Sequence, residues 1–437
     1  MSRRSSRRIV GVALALGLVT LLPGTSSADV DWSGSQVALP RAHSWNYGNA
    51  MDSTGSGSTF RLTDVFVSDA TVPQAAFATS STDGVTWAKP IRLSPADVNA
   101  ENPTTASAGR TVIAGWMTGF SPYDPAGAHR RLQVTVSPDG GETWGPTKNL
   151  SPRGGAVDYP TVAAAATSFG AINLYAVWVD AETGRVEFRA RSQGTPWSLP
   201  IRLGLTTRKT SAGYSGLANI AAVGDLVVVA WVADADGTVK ARAIDLKPSG
   251  SPAASADRDQ WGARTVMAEP VALRQNGAPV VAAAPTVPDT VTIAWNTATS
   301  QVFSVVSGEA IAPGVTTIWT DQPVGSFTYT GGYATVVEPA PGGGFVAMWA
   351  ACRDTSLTRD CNVRKPEARI DLFAAAMPSG GAFGDPVLVA GAGRPAQRIN
   401  DAPSLVVAGD HVYVQYDGWT PSGSNYGVFA RVATGTP

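Results

Sequence analysis

Charge is scarce in this sequence. Asp, Glu, Lys and Arg make up 15% of its 437 residues, and 33 basic against 34 acidic side chains leave a net charge of -1. That balance gives no long-range field for a nucleic acid or an anionic membrane surface, so neither is expected as a partner. Histidine is rarer still. His43, His129 and His411 are too scattered to build a zinc site or a Ser-His-Asp relay, and no metal or other cofactor is expected. Cysteine occurs twice, as Cys352 and Cys361 in "WAACRDTSLTRDCNVRK". In an exported chain such a close pair reads as one disulfide closing a surface loop; as metal ligands, two thiols without a nearby His leave the coordination sphere short. Apolar runs are short as well. Ile9 to Leu22 covers fourteen residues, against the roughly 20 of a membrane-spanning helix. Four arginines precede that run, and small residues up to Ala28 follow it. Residues 1–28 therefore read as a secretory signal peptide, with the mature chain, 29–437, starting at Asp29. The pairs Arg3-Arg4 and Arg7-Arg8 leave both the general and the twin-arginine export routes open. A freely released, monomeric extracellular protein without a membrane anchor is the expectation.

Turn residues, by contrast, are plentiful, with 46 Gly and 31 Pro. Between them the chain repeats itself. A hydrophobic strand ending in Trp recurs as "TVIAGW" to Trp116, "NLYAVW" to Trp178, "LVVVAW" to Trp231, "TVTIAW" to Trp295 and "GFVAMW" to Trp349, with weaker copies at Phe66 and Tyr416. From Phe66 to Tyr416 is 350 residues over six intervals, a period of about 58. A second phrase, Trp-x-x-Pro-x-x-apolar, alternates with the first: "WAKPIRL" from Trp87, "WSLPIRL" from Trp197, "FGDPVLV" from Phe383, and looser copies from Trp32, Trp144, Trp261 and Trp319. A third, such as "NPTTASAG" at Asn102 and "YPTVAAAA" at Tyr159, opens each unit. β-Branched runs separated by Gly, Asp and Ser turns fill the rest, and no amphipathic helix is evident. The reading is all-β: a β-propeller of four-stranded antiparallel blades, seven in number, with six as the alternative if the first weak copy is discounted. The last unit has room for three strands, while a spare outer-strand phrase, "DWSGSQVALP", stands at the N-terminus. Pairing Trp32 to Leu39 beside the C-terminal strands would clasp the ring and remove its edges.

"SPDGGETW", Ser137 to Trp144, is the one stretch that looks chemical. Ser137, Asp139, Gly141, Thr143 and Trp144 match the Asp-box, Ser-x-Asp-x-Gly-x-Thr-Trp. "SSTDGVTW" from Ser80 reads as a degenerate copy with its acid, Asp83, one place late, and "SQGTPW" from Ser192 as a fainter one. On these motifs and the strand phrasing, the mature chain resembles the sialidase and BNR-repeat propellers. The box is expected between the third and outer strands, where Asp and Ser bond backbone N–H groups and Gly supplies positive φ. In the family it is a structural turn away from the ligand.

Chemistry in such a ring belongs at the mouth, where the inner strands begin. Projecting the repeat onto that mouth selects Arg41, Trp45, Glu101, Asn102, Asp158, Tyr159, Arg208, Tyr214, Arg274, Tyr333, Arg398 and Asp401. Loops from Thr118, Cys352 and Asp417 are long enough to cover it. Aromatics, arginines and carboxylates suit a polar, sugar-like ligand, so a glycan or a cell-surface protein is the expected partner. The sialidase resemblance implies an arginine triad, a Tyr nucleophile and an Asp acid/base, which would fall to Arg41, to Tyr214 in "GYSGL" and to Asp158. Against catalysis, the family's Arg-Ile-Pro is replaced by "RAHSW", and "GYSGL" lies mid-chain where the family places its Tyr near the end. Each candidate also has a plain structural role open to it, in blade-junction packing for the tyrosines, solvation for the arginines and turn capping for the acids. A non-catalytic glycan-binding propeller is preferred. A diverged sialidase-type glycoside hydrolase and a protein-binding structural propeller are the alternatives.

Overall fold

The structure is a computed structural model. It describes residues 31–32, 36–40, 49–68, 71, 73–119, 130–152, 156–210, 213–214, 216–234, 237–246, 259, 261–268, 279–284, 290–296, 301–307, 320–324, 330–340, 343–352, 370–379, 381, 383–390, 403–419 and 426–434. In the N-terminal strands and in parts of blades five to seven only the backbone is described.

Among the described residues seven antiparallel blade sheets follow one another along the chain, six of four strands and one that also recruits the N-terminus, with a two-stranded hairpin between the third and fourth. Their inner strands are Asn49–Thr54, Ala100–Ala108, Val157–Ala166, Asn219–Val223, Val280–Ala284, Thr330–Ala340 and Ser404–Ala408. Each packs on the next, and the seventh packs on the first, which closes the ring. The chain is a seven-bladed β-propeller. Its clasp is the expected one: Asp31–Trp32 and Gln36–Pro40 both pair with the last strand, Tyr426–Thr434.

Position in the ring explains the residue types. Near the axis the strands converge, and the inner strands are rich in Ala, Val and Thr, as in "TVAAAA" and "VVAAA". Second strands lie between neighbouring blades on both faces and so run continuously apolar, with every residue of Thr111–Thr118 and Leu226–Val232 buried. Trp116, Trp178, Trp231 and Trp349 sit on these strands fully buried, and Phe66 and Tyr416 take the same place in blades one and seven. Each pair of adjacent blades shares its own apolar cluster, such as Tyr175, Phe188, Trp231 and Trp261 between blades three and four. Burying one such aromatic is worth about 2–3 kcal/mol, so the ring is held by seven similar seams and not by one central core.

"SPDGGETW" joins the third strand of blade two, Arg131–Ser137, to its outer strand, Lys148–Asn149. Ser137 Oγ donates to Asp139 Oδ1 at 2.7 Å and accepts the Gly141 amide at 2.8 Å. Asp139 in turn receives the Thr143 amide at 2.9 Å and its hydroxyl at 2.5 Å. Gly141 has φ +88°, and a Cβ there would stand 2.7 Å from Thr63 Oγ1 of blade one, so both conformation and space call for glycine. Trp144 then packs into the seam between blades one and two. The blade-one copy needs a correction. Its serine is Ser81, which donates to Asp83 at 2.9 Å, so the acid is in place and the turn is one residue shorter.

Candidate functional site

The second strands run towards the mouth, and just past each landmark Trp the inner strand begins. In blade two, Glu101 pairs with Met117 and Thr104 with Gly115, so one extra residue is squeezed into the inner strand. Blade three repeats this, with Asp158 opposite Val179 and Thr161 opposite Val177. Such bulges re-aim side chains. At the extra residue the backbone turns left-handed, with φ +47° at Asn102 and +38° at Tyr159, each followed by proline. Blade four has the same corner at Leu217, φ +42°, but there it carries a buried leucine after Gly216. The corner thus belongs to the fold, and what distinguishes blades two and three is the side chains mounted on it.

Those corners point their acids inward and the tyrosine outward. Glu101 is 2% exposed and Asp158 is also buried, whereas Tyr159 is 47% exposed. Arg130, immediately before the third strand of blade two, donates from Nη1 to Asp158 Oδ1 at 3.4 Å, with both side chains buried. Its carbonyl accepts the Val157 amide at 3.0 Å, tying blade two to the entry of blade three. Burial pushes the Glu101 carboxyl up to about 8, with the Arg130 charge working in the opposite direction. Arg208, on the link from blade three to blade four, lies within electrostatic reach of Asp158 and Tyr159; burial lowers it, and those two partners raise it. The result is a compact patch of two arginines, two acids and an exposed aromatic.

Of the residues projected from sequence, Glu101, Asn102, Asp158, Tyr159 and Arg208 are brought together here. Arg41, Trp45, Arg274, Arg398 and Asp401 lie outside the described residues, as do 120–129, 353–369 and 420–425 of the three covering loops. Cys361 is outside them too, while Cys352 ends the second strand of blade six, so the expected disulfide stays an expectation. Tyr333 lies near the start of the inner strand of blade six. Tyr214 does not open the inner strand of blade four as "YSGLANIAAVG" suggests. It stands on a small hairpin, Lys209–Thr210 with Gly213–Tyr214, inserted ahead of a strand that starts at Asn219. Arg130 escaped the projection because it ends a loop of irregular length; its signal was the "HRR" placed directly before a strand.

Chemically, an exposed ring beside charged hydrogen-bond donors and acceptors can stack on and hold a polyhydroxylated ligand. Among the described residues no group of three or more His, Cys, Asp or Glu could hold a metal ion, and no helix is long and apolar enough to cross a membrane.

No family model and no curated protein sequence matches the chain. Solved structures do. A lectin from Burkholderia pseudomallei superposes with a TM-score of 0.57 at 13% identity, covering 88% of this chain and 98% of its own. A protein of unknown function from Dyadobacter fermentans gives 0.51 at 12% identity, over 93% and 99%. The intramolecular trans-sialidase from Ruminococcus gnavus gives 0.50 at 9% identity, over 72% and 92%. At such identities the likeness is one of fold, and it sets this chain among propellers that include both a lectin and a sialidase.

Proposed function

We propose that this protein is an exported, non-catalytic carbohydrate-binding propeller whose ligand seats on the mouth over blades two to four. The observation that carries the reading is Tyr159. It is held 47% exposed on a left-handed corner beside the buried Arg130–Asp158 pair. A large ring turned out to solvent with a charged pair fixed behind it suits sugar recognition, the apolar face stacking and the polar groups setting orientation. The fold shared with a lectin supports this reading without assigning a sugar.

A glycoside hydrolase of sialidase type is the second reading. It is favoured by Glu101, whose carboxyl, raised to about 8, stays protonated at neutral pH as a general acid must. One experiment separates the two. The purified protein is applied to a glycan array and, in parallel, incubated with fluorogenic sialosides. Binding without turnover, lost in Tyr159→Ala while the fold persists, is the expected result. Turnover abolished by Glu101→Gln would replace it with the hydrolase, and silence in both assays would leave a protein-binding ring.

A further inference from the structure

The axis of the ring is a cavity of about 310 Å³ lined by the inner strands of all seven blades. Its wall is mostly Ala, Val and Thr. Asp52 of blade one and Glu338 of blade six are the only ionisable side chains among the described residues lining it, and no Lys, Arg or His faces them there. Both stand near the far ends of their strands, Asn49–Thr54 and Thr330–Ala340, so they lie towards the Asp-box face and away from the mouth. Between them sits blade seven, whose inner strand packs against both and whose outer edge is the N-terminal clasp. On the same wall the Met51 amide donates to Ser404 Oγ at 2.7 Å, joining blade one to blade seven.

Several titratable side chains on the neighbouring strands have other partners. Arg61 pairs with Glu142 at 2.8 Å, and His411 with Asp410 at 2.5 Å. Asp64 is enclosed within blade one, and Tyr413 stacks on Phe60. Glu101, Tyr333, Cys352 and Asp417 stand at the mouth ends of their strands. Asp52 accepts the Ser53 amide at 2.6 Å and lies beside Ser107 of blade two, whose hydroxyl donates to the Ser53 carbonyl at 2.6 Å. Glu338 has the Asp52 charge before it. Burial raises Asp52 to about 6 and Glu338 well above the ordinary carboxylate range, the Asp52 charge adding to the latter. Two like charges on the wall of one cavity, each partly buried, are costly to keep ionised together.

We propose that Asp52 and Glu338 act as a proton-holding pair: one proton retained in the axial cavity cancels their repulsion and makes closure of the ring between blades six and one sensitive to pH. The sign follows from linkage. The native ring holds a proton that the unfolded chain releases above about pH 4. Stability is therefore fullest in mild acid and falls as pH rises, by about tenfold in the folding equilibrium per pH unit for each proton held.

The test is the pH dependence of urea unfolding between about pH 5 and pH 8, for the wild-type chain, Asp52→Asn and Glu338→Gln. Glu101 contributes a similar slope of its own, so all three are also made in a Glu101→Gln background. Loss of up to one proton's slope, about tenfold per pH unit, in Glu338→Gln supports the pair; slopes parallel to those of the parent overturn it. Should Glu338→Gln fail to fold, infrared spectra of Glu101→Gln decide. A protonated-carboxyl band persisting at neutral pH supports the proposal, and its absence refutes it.

Discussion

Blade two holds two carboxyls at opposite ends, and they are treated in opposite ways. Asp139, in the Asp-box, is pushed up by burial but pulled down further by the Thr143 hydroxyl and amide and by Ser137, and it is held at about 2. Glu101, at the mouth, is buried with Arg130 as its opposing charge and rises to about 8. One acid is stabilised in its charged form by local donors, whereas the other is forced towards neutrality by its surroundings. Satisfied charge marks scaffold. A desolvated acid grouped with arginines on left-handed backbone marks a place where the fold tolerates cost, as binding sites do.

The largest expected effect breaks the mouth side of this contrast. Arg130→Ala leaves Asp158 and Glu101 buried without that guanidinium, and losing one partner of a buried ion pair costs about 3–5 kcal/mol. Urea unfolding of the variant measures it; a loss under about 1 kcal/mol, typical of surface pairs, would mean that water already reaches the pair. On the other face, Asp139→Ala removes the acceptor for Thr143 and the anchor of Ser137, and should cost about 1–2 kcal/mol, the range of a lost cap. The glycan array should show no change in ligand binding for this variant.

pH sharpens the comparison because the two acids act with opposite sign. Asp139 is lowered in the fold, so its contribution is complete above about pH 4 and is lost as pH falls through about 2. Asp83, also held at about 2 with the Thr86 amide as its main donor, adds to the same acid limb. Glu101 is raised, so its neutral form is at home below about 4.5 in both states, and stability drains away as pH climbs towards about 8. Glu101→Gln should therefore flatten the neutral-to-alkaline limb and leave the acid limb unchanged, while Asp139→Asn should do the reverse. Thermal unfolding midpoints across the pH range test both at once, and a common response of the two limbs would sink the distinction.

How far these features could be read from sequence depends on whether the ring repeats them. The second-strand aromatics recur because every blade must fill the same seam, so Trp116, Trp178, Trp231, Trp295 and Trp349, with Phe66 and Tyr416 as weaker copies, announce seven blades. Glu101 and Asp158 are legible because each stands directly before the phrase that opens its unit, "NPTTASAG" or "YPTVAAAA". What does not repeat was hidden. Arg130 closes a loop whose length has no counterpart in other blades, and Tyr214 was displaced by a hairpin inserted in one link only. The blade-one box was read one residue out of register because its turn is shorter by a residue. Asp52 and Glu338 lie on inner strands whose alternation gives no warning that acids from blades one and six, on either side of blade seven, line the same axial cavity.

The smallest effect is the most informative, because its sign separates stability from function. Tyr159 sits at φ +38°, where a side chain with a Cβ is strained and glycine is not. Being 47% exposed, its side chain offers less packing to offset that strain than a buried residue would. Tyr159→Gly should therefore leave the ring as stable or raise its stability by up to about 1 kcal/mol, less whatever glycine gives back to the entropy of the unfolded chain. Ligand binding should fall sharply in the same variant. Leu217→Gly, at the equivalent corner of blade four, is the control: φ is alike, but the leucine is buried, so the same relief is outweighed by lost packing and the variant should be less stable. If Tyr159→Gly destabilises as Leu217→Gly does, the tyrosine is a packing residue like its counterpart; if it stabilises while binding is lost, the strain at the mouth is retained for the ligand.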